Sequence, residues 1–91
     1  MSKQLCMHCY ISGKVQGVWF RASAQEEAKK LGINGWARNL ADGRVEILAC
    51  GDQKQLEKFE HWLKNGPPLA EITSYSREDL AWKEYSGFDT F

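Results

Sequence analysis

Two helix-length stretches in this 91-residue chain each end at a hard stop. The first stops at Gly32, a residue suited to the position just past a helix. The second stops at Asn65-Gly66-Pro67-Pro68, where neither proline can continue a helix. Around these stops the chain is divided into short segments of strand length. Leu5 to Ser12 alternates, with Leu5, Met7, Cys9 and Ile11 on one face and Cys6, His8, Tyr10 and Ser12 on the other. Ala22 to Leu31 carries Ala24, Ala28 and Leu31 at helical spacing, and Glu26 sits four residues before Lys30. Gly35 to Leu40 and Arg44 to Cys50 read as strands joined by a hairpin turn at Ala41-Asp42-Gly43. Val45, Ile47 and Ala49 face inward.

Asp52 and Gln55 form a capping-box pattern that opens the second helix. Leu56, Phe59 and Leu63 are its buried stripe, with Trp62 beside them, and Glu57, Lys58, Glu60 and Lys64 mark its exposed face. A fourth strand is expected over Glu71 to Arg77, a polar loop over residues 78–86, and a last short edge strand at Phe88 to Phe91. The order is β-α-β-β-α-β. It predicts an α+β, ferredoxin-like sandwich with two helices on one face of an antiparallel sheet. Right-handed crossovers place the first and third strands side by side in the centre. The loop after the first strand can then meet the strand at Gly35 to Leu40 at one edge. Many activities share this fold, so function has to come from a site.

Residues 13–21, Gly-Lys-Val-Gln-Gly-Val-Trp-Phe-Arg, supply a candidate. Glycines let successive N–H groups turn toward a common point. A helix N-terminus behind them adds partial positive charge, and the Arg21 fork suits a phosphate. Twelve basic and twelve acidic residues cancel, so no broad field draws nucleic acid or an anionic membrane to the chain. Anion binding must then be local, which again selects the glycine loop.

The remaining composition fits one folded domain, residues 1–91, with a modest core: 43% of residues are hydrophobic and four are tryptophan. No apolar run approaches the ~20 residues that span a bilayer. Met1 to Tyr10 lacks a basic segment followed by a clean apolar stretch, so a signal peptide is not expected and the cytoplasm is the expected location. Cys6, Cys9 and Cys50 are expected to be mostly reduced there.

A second cluster, Gly35-Trp36-Ala37-Arg38-Asn39 followed by Gly43, Val45 and Gly51, completes a pair of motifs. With G-x-V-Q-G-V-x-F-R at Gly13 to Arg21, it closely resembles the acylphosphatase family, and the likeness covers nearly the whole chain. The resemblance implies a metal-free hydrolase, without cofactor, that cleaves the carboxyl–phosphate bond of acyl phosphates to a carboxylate and inorganic phosphate. By position it implies that Arg21 binds phosphate and that Asn39 orients the attacking water. The backbone N–H groups of Val15, Gln16, Gly17, Val18, Trp19 and Phe20 would form the cradle. Trp19 stands at a variable position of the motif. It is expected at the pocket rim with no role in the reaction. The chemistry agrees. Phosphoryl transfer needs positioning and charge stabilisation, and a carboxamide can both accept from and donate to a water. A good leaving group removes the need for a strong base, so a substrate phosphate oxygen is the expected proton acceptor.

Taken singly, Gly13 and Gly17 fit an ordinary strand-to-helix turn, and Asn39 a turn residue; the two motifs together outweigh both. Cys6-Met7-His8-Cys9 has metal-ligand spacing, but residues three apart on a strand face opposite ways, and no second cysteine pair completes a site. Cys9 is expected in the core. If Ile11 lies opposite Val45 on antiparallel strands, Cys6 lies opposite Cys50 on the outer face, and a cross-strand disulfide is expected to form under oxidising conditions. His8 and His61 are expected to be solvated, and Trp36, Trp62 and Trp82 to pack. A phosphate- or carbamoyl-phosphate-recognising module, as in larger maturation factors, is one rival; the chain's length argues against it. RNA binding is another. It is disfavoured because the outer face offers Tyr10 on the first strand, no aromatic on the third, and no net charge. The expected partners are therefore an acyl phosphate and phosphate, with no nucleic acid and no membrane, acting on a monomer.

Overall fold

The computed structural model describes residues 3–91. Seven elements follow one another: β1 (Gln4–Lys14), α1 (Phe20–Lys30), β2 (Asn34–Asn39), β3 (Val45–Asp52), α2 (Gln53–Asn65), β4 (Glu71–Leu80) and β5 (Phe88–Thr90). The sheet order is β4-β1-β3-β2-β5. β1 and β3 are central and antiparallel, with Ile11 opposite Val45 and Cys6 opposite Cys50. β5 differs from the all-antiparallel expectation. It runs parallel to β2, with Gly35 beside Phe88, so the sheet is mixed.

Both helices cover one face. Met7, Cys9, Ile11, Val45, Ile47 and Ala49 of the sheet pack there against Phe20, Ala24, Ala28, Leu56, Phe59 and Leu63. Burying these side chains supplies the main driving force for folding. Cys9 belongs to this core, and burial pushes its thiol up to about 11. Cys6, Leu48 and Cys50 form a smaller cluster on the other face under Trp36 and Tyr85. The two halves of the Cys-x-x-Cys motif thus face opposite ways. Cys6 and Cys50 are joined by the expected cross-strand disulfide, so of the three cysteines expected to be mostly reduced the structure leaves Cys9 free.

Several boundaries depart from expectation. α1 starts at Phe20, not Ala22, so Arg21 lies in its first turn. β4 runs on to Leu80 because it pairs with β1 as far as Cys6. Only half of the α2 capping box forms. The Asp52 carboxylate accepts from the Lys54 amide at 2.8 Å, while the Gln55 Oε1 is buried with no hydrogen-bond partner among the described residues. Glu60 is not on an exposed face: it accepts from the Tyr75 hydroxyl at 2.9 Å and pairs with Arg77 at 3.2 Å. Trp36 and Trp62 pack against the two clusters as expected, but Trp82 is exposed. Gly35 is required by close approach, since a Cβ there would stand 1.9 Å from the Leu48 carbonyl oxygen.

Candidate active site

The segment between β1 and α1 alternates in burial. Val15, Val18 and Phe20 are buried side chains, whereas Gly17 and Trp19 are exposed. The apolar anchors pin the loop to the core, and Gly17 turns it at φ 74°, in the left-handed region that favours glycine. None of the amides of Gln16 to Trp19 donates to a backbone carbonyl among the described residues. The two helix N-termini also differ. α2 is capped by Asp52, while α1 has no side-chain cap; neither has an acidic residue in its first turn. The orphan N–H groups that begin every helix therefore stay available at α1, with Arg21 beside them.

A cavity of about 380 Å³ opens at this point. It is lined by Val15, Gly17, Trp19, Phe20, Arg21, Ala22, Asn39 and Thr90, and its size suits a small ligand. Six of the eight residues expected at the site from sequence line it. Val18 is an anchor beneath the loop, 4% exposed. The side chain of Gln16 faces elsewhere, donating through Nε2 to the Leu40 carbonyl at 2.8 Å and the Arg44 carbonyl at 3.0 Å. Those carbonyls flank the β2–β3 turn, so Gln16 ties the loop to the hairpin that carries Asn39.

Sequence reasoning missed the contribution of the last residues. Arg21 Nη1 donates to the main-chain oxygen of Phe91, whose amide in turn donates to Ala37 on β2 at 3.0 Å. Gln25 on α1 donates to the Phe88 carbonyl at 2.7 Å. One guanidinium nitrogen is thereby held, and among the described residues no acceptor engages the other donors of the fork. Residues 88–91 carry no motif that would have marked them.

The outer face of the sheet corrects a second expectation. His8 is not simply solvated. Its Nε2 lies 2.7 Å from a Glu46 carboxylate oxygen, which also accepts from the Tyr10 hydroxyl at 3.2 Å; Arg38 Nε donates to the other oxygen. Glu46 is buried. Burial by itself would raise its carboxyl, but the hydrogen bonds from His8 and Arg38 and the Arg38 charge outweigh that and hold it below 4.5. Arg38 precedes Asn39 and pairs across the sheet with Glu46. The network thus clamps β2 to β3 next to the cavity. His61 is exposed as expected.

The likeness to known proteins is as extensive as the geometry suggests. Residues 7–90 match the Acylphosphatase family model. The acylphosphatase of Legionella pneumophila (strain Paris) is 61% identical over 89 residues, covering 98% of each chain. A solved acylphosphatase from Coxiella burnetii has a TM-score of 0.92 at 39% identity and covers 97% of this chain and 93% of that one. The crystal structure of the Bacillus subtilis acylphosphatase also has a TM-score of 0.92, at 38% identity, with 96% and 98% covered. A glycine-turned loop at an uncapped helix, an arginine and an asparagine meeting at one cavity, and relatives alike over their full length place the chain in the acylphosphatase family, the enzymes that hydrolyse acyl phosphates.

Proposed function

We propose that the cavity holds the phosphoryl group of the acyl phosphate, with Arg21 and Asn39 as its catalytic residues. The amides of the Val15 to Phe20 segment and the free donors of Arg21 surround the phosphoryl oxygens and stabilise the charge that they carry in the transition state. Phe91 holds the guanidinium in place, so little ordering is left to do when substrate arrives. The Asn39 carboxamide accepts from a water and aims it at phosphorus. The water oxygen bonds to phosphorus as the bond to the acyl oxygen breaks. The electron pair leaves with the carboxylate. The water's proton passes to a phosphoryl oxygen, because among the described residues that line the cavity there is no carboxylate or imidazole side chain to take it. No step calls on a metal, and chelators are expected not to inhibit.

The observation that carries this reading is that one cavity brings together Arg21 from α1 and Asn39 from β2. Hydrolysis of benzoyl phosphate tests it. Arg21→Gln and Asn39→Ala are each expected to lower kcat by about 10²-fold or more, the scale for removing a transition-state donor, with far-ultraviolet dichroism unchanged. Near-wild-type turnover in either variant refutes the assignment. Inorganic phosphate is expected to inhibit competitively as the product. The setting that fits this chemistry is a cytoplasmic monomer made of one domain. Among the described residues no helix is long and apolar enough to cross a membrane.

A further inference from the structure

Trp19 is the residue that the fold does not explain. Its side chain is 75% exposed, more than any other exposed large apolar residue described. It is also the one non-glycine residue among those described with a positive φ, at φ 67° and ψ 21°. A glycine would adopt that conformation freely, while a bulky side chain crowds its own backbone there. Neither capping nor packing offsets that crowding. The indole makes no cap hydrogen bond, and no hydrogen bond, ring contact or cation–π contact engages it among the described residues. A strained, solvent-facing aromatic at the edge of a cavity is where a ligand contact is to be sought.

The cavity supplies the ligand. Trp19 lines it together with Gly17, Arg21 and Asn39. A phosphoryl group bound at the loop leaves the rest of the acyl phosphate projecting outward, toward the rim. We infer that the Trp19 indole is an apolar platform for the acyl group, and that it selects acyl phosphates with a flat, aromatic acyl group over those with a small one. This rests on the cavity's being the acyl phosphate site. The indole takes no part in the bond-breaking step, and the Trp19 amide proposed for the cradle is kept in every variant below. The indole acts on specificity, by removing apolar ligand surface from water and by offering a ring face to stack on.

The test compares benzoyl phosphate with acetyl phosphate in wild type, Trp19→Gly and Trp19→Phe. Trp19→Gly suits the left-handed backbone, so loss of folding is not an obstacle. The ratio of kcat/KM for benzoyl over acetyl phosphate is expected to fall by about twofold to tenfold in Trp19→Gly, the scale of one aromatic contact. Trp19→Phe is expected to keep most of it. A ratio that is unchanged in Trp19→Gly, or a parallel fall on both substrates, overturns the inference. Calorimetric binding of phenacylphosphonate and acetonylphosphonate, which cannot be hydrolysed at the bridging position, reads the same selectivity without turnover. Selective binding that depends on Trp19 in a protein inert to both phosphates would overturn the hydrolytic assignment alone. Equal binding of the two phosphonates by wild type would overturn the platform alone.

Discussion

Replacing Gln16 by methionine keeps the side-chain length and removes both donors. In the structure those donors reach the carbonyls of Leu40 and Arg44 at 2.8 and 3.0 Å. Neither carbonyl is left unsatisfied by the change: Leu40 O still accepts from the Gly43 amide at 3.1 Å, and Arg44 O from the Leu40 amide at 2.8 Å. The stability cost is therefore that of two ordinary hydrogen bonds without a stranded partner, about 1–2 kcal/mol in total. A domain with the usual margin of about 5–15 kcal/mol stays more than about 99% folded after such a loss.

The effect on rate should be far larger than that. Arg21 comes from α1 and Asn39 from β2, both lining the cavity, and Gln16 ties the loop before α1 to the hairpin that carries Asn39 through two hydrogen bonds. A shift of about 1 Å between a reactive centre and its positioning group costs about 10²-fold. Gln16→Met is thus expected to lower kcat on benzoyl phosphate by about 10-fold to 10²-fold, with a urea midpoint only modestly reduced. Gln16→Glu adds a signature that a purely structural role would not give. Its carboxylate would face two carbonyl oxygens at neutral pH, and protonation would restore one donor, so activity should recover partly toward acid pH. A Gln16→Met enzyme with kcat within about twofold of wild type, and the stability loss as stated, would refute the argument that this tie sets catalytic geometry.

Two further outcomes follow from the outer face of the sheet. Cys6 and Cys50 are 44 residues apart in sequence, and closing a loop of that size is worth about 4 kcal/mol in the chain-entropy account. Urea melts with and without dithiothreitol are expected to differ by about 2–4 kcal/mol, and the denatured, unreduced protein should titrate one free thiol, that of Cys9; three thiols would reject the bond. Glu46 sets an acid limit. Its carboxyl is held below 4.5 in the folded chain, so as pH falls the unfolded chain takes up this proton first, and the stabilisation, complete above about 4.5, is lost as pH passes through the lower folded value. Glu46→Gln should lower stability at neutral pH and flatten that acid limb. Parallel stability-versus-pH curves for the two proteins would count against it.

The fold was legible where local signals and periodicity agreed. The alternation of Leu5 to Ser12, the stop at Gly32 and the turn at Ala41-Asp42-Gly43 each have a short-range cause, and counting from Ile11 opposite Val45 recovered the β1–β3 register. The same count sets Tyr10 opposite Glu46, so a signal for the buried carboxylate was present in the register although the side chains look like ordinary surface residues. The end of β4 was not legible. Ser76 to Leu80 is polar and carries no strand pattern, and it is extended because the β1 edge offers hydrogen-bonding partners as far as Cys6. Tertiary pairing there overrides local preference.

The candidate site divides in the same way. Its backbone half could be read as a candidate, because the phosphate cradle proposed for it needs glycines at fixed places and an arginine near a helix start, and these requirements are written into consecutive residues. Its side-chain supports could not, because they join residues distant in sequence. Gln16 reaches carbonyls 24 and 28 residues away, and Arg21 reaches Phe91, 70 residues away. Such contacts leave no periodicity behind. Under the proposed function they are also what would turn a loop able to hold an anion into a site that holds it facing Asn39. A nest of amides at a helix end would bind phosphate wherever it occurred. Hydrolysis as proposed requires in addition that the nest and the Asn39 amide stay in register, and in this chain the contacts that could meet that requirement are made by a glutamine amide and a main-chain oxygen at residue 91.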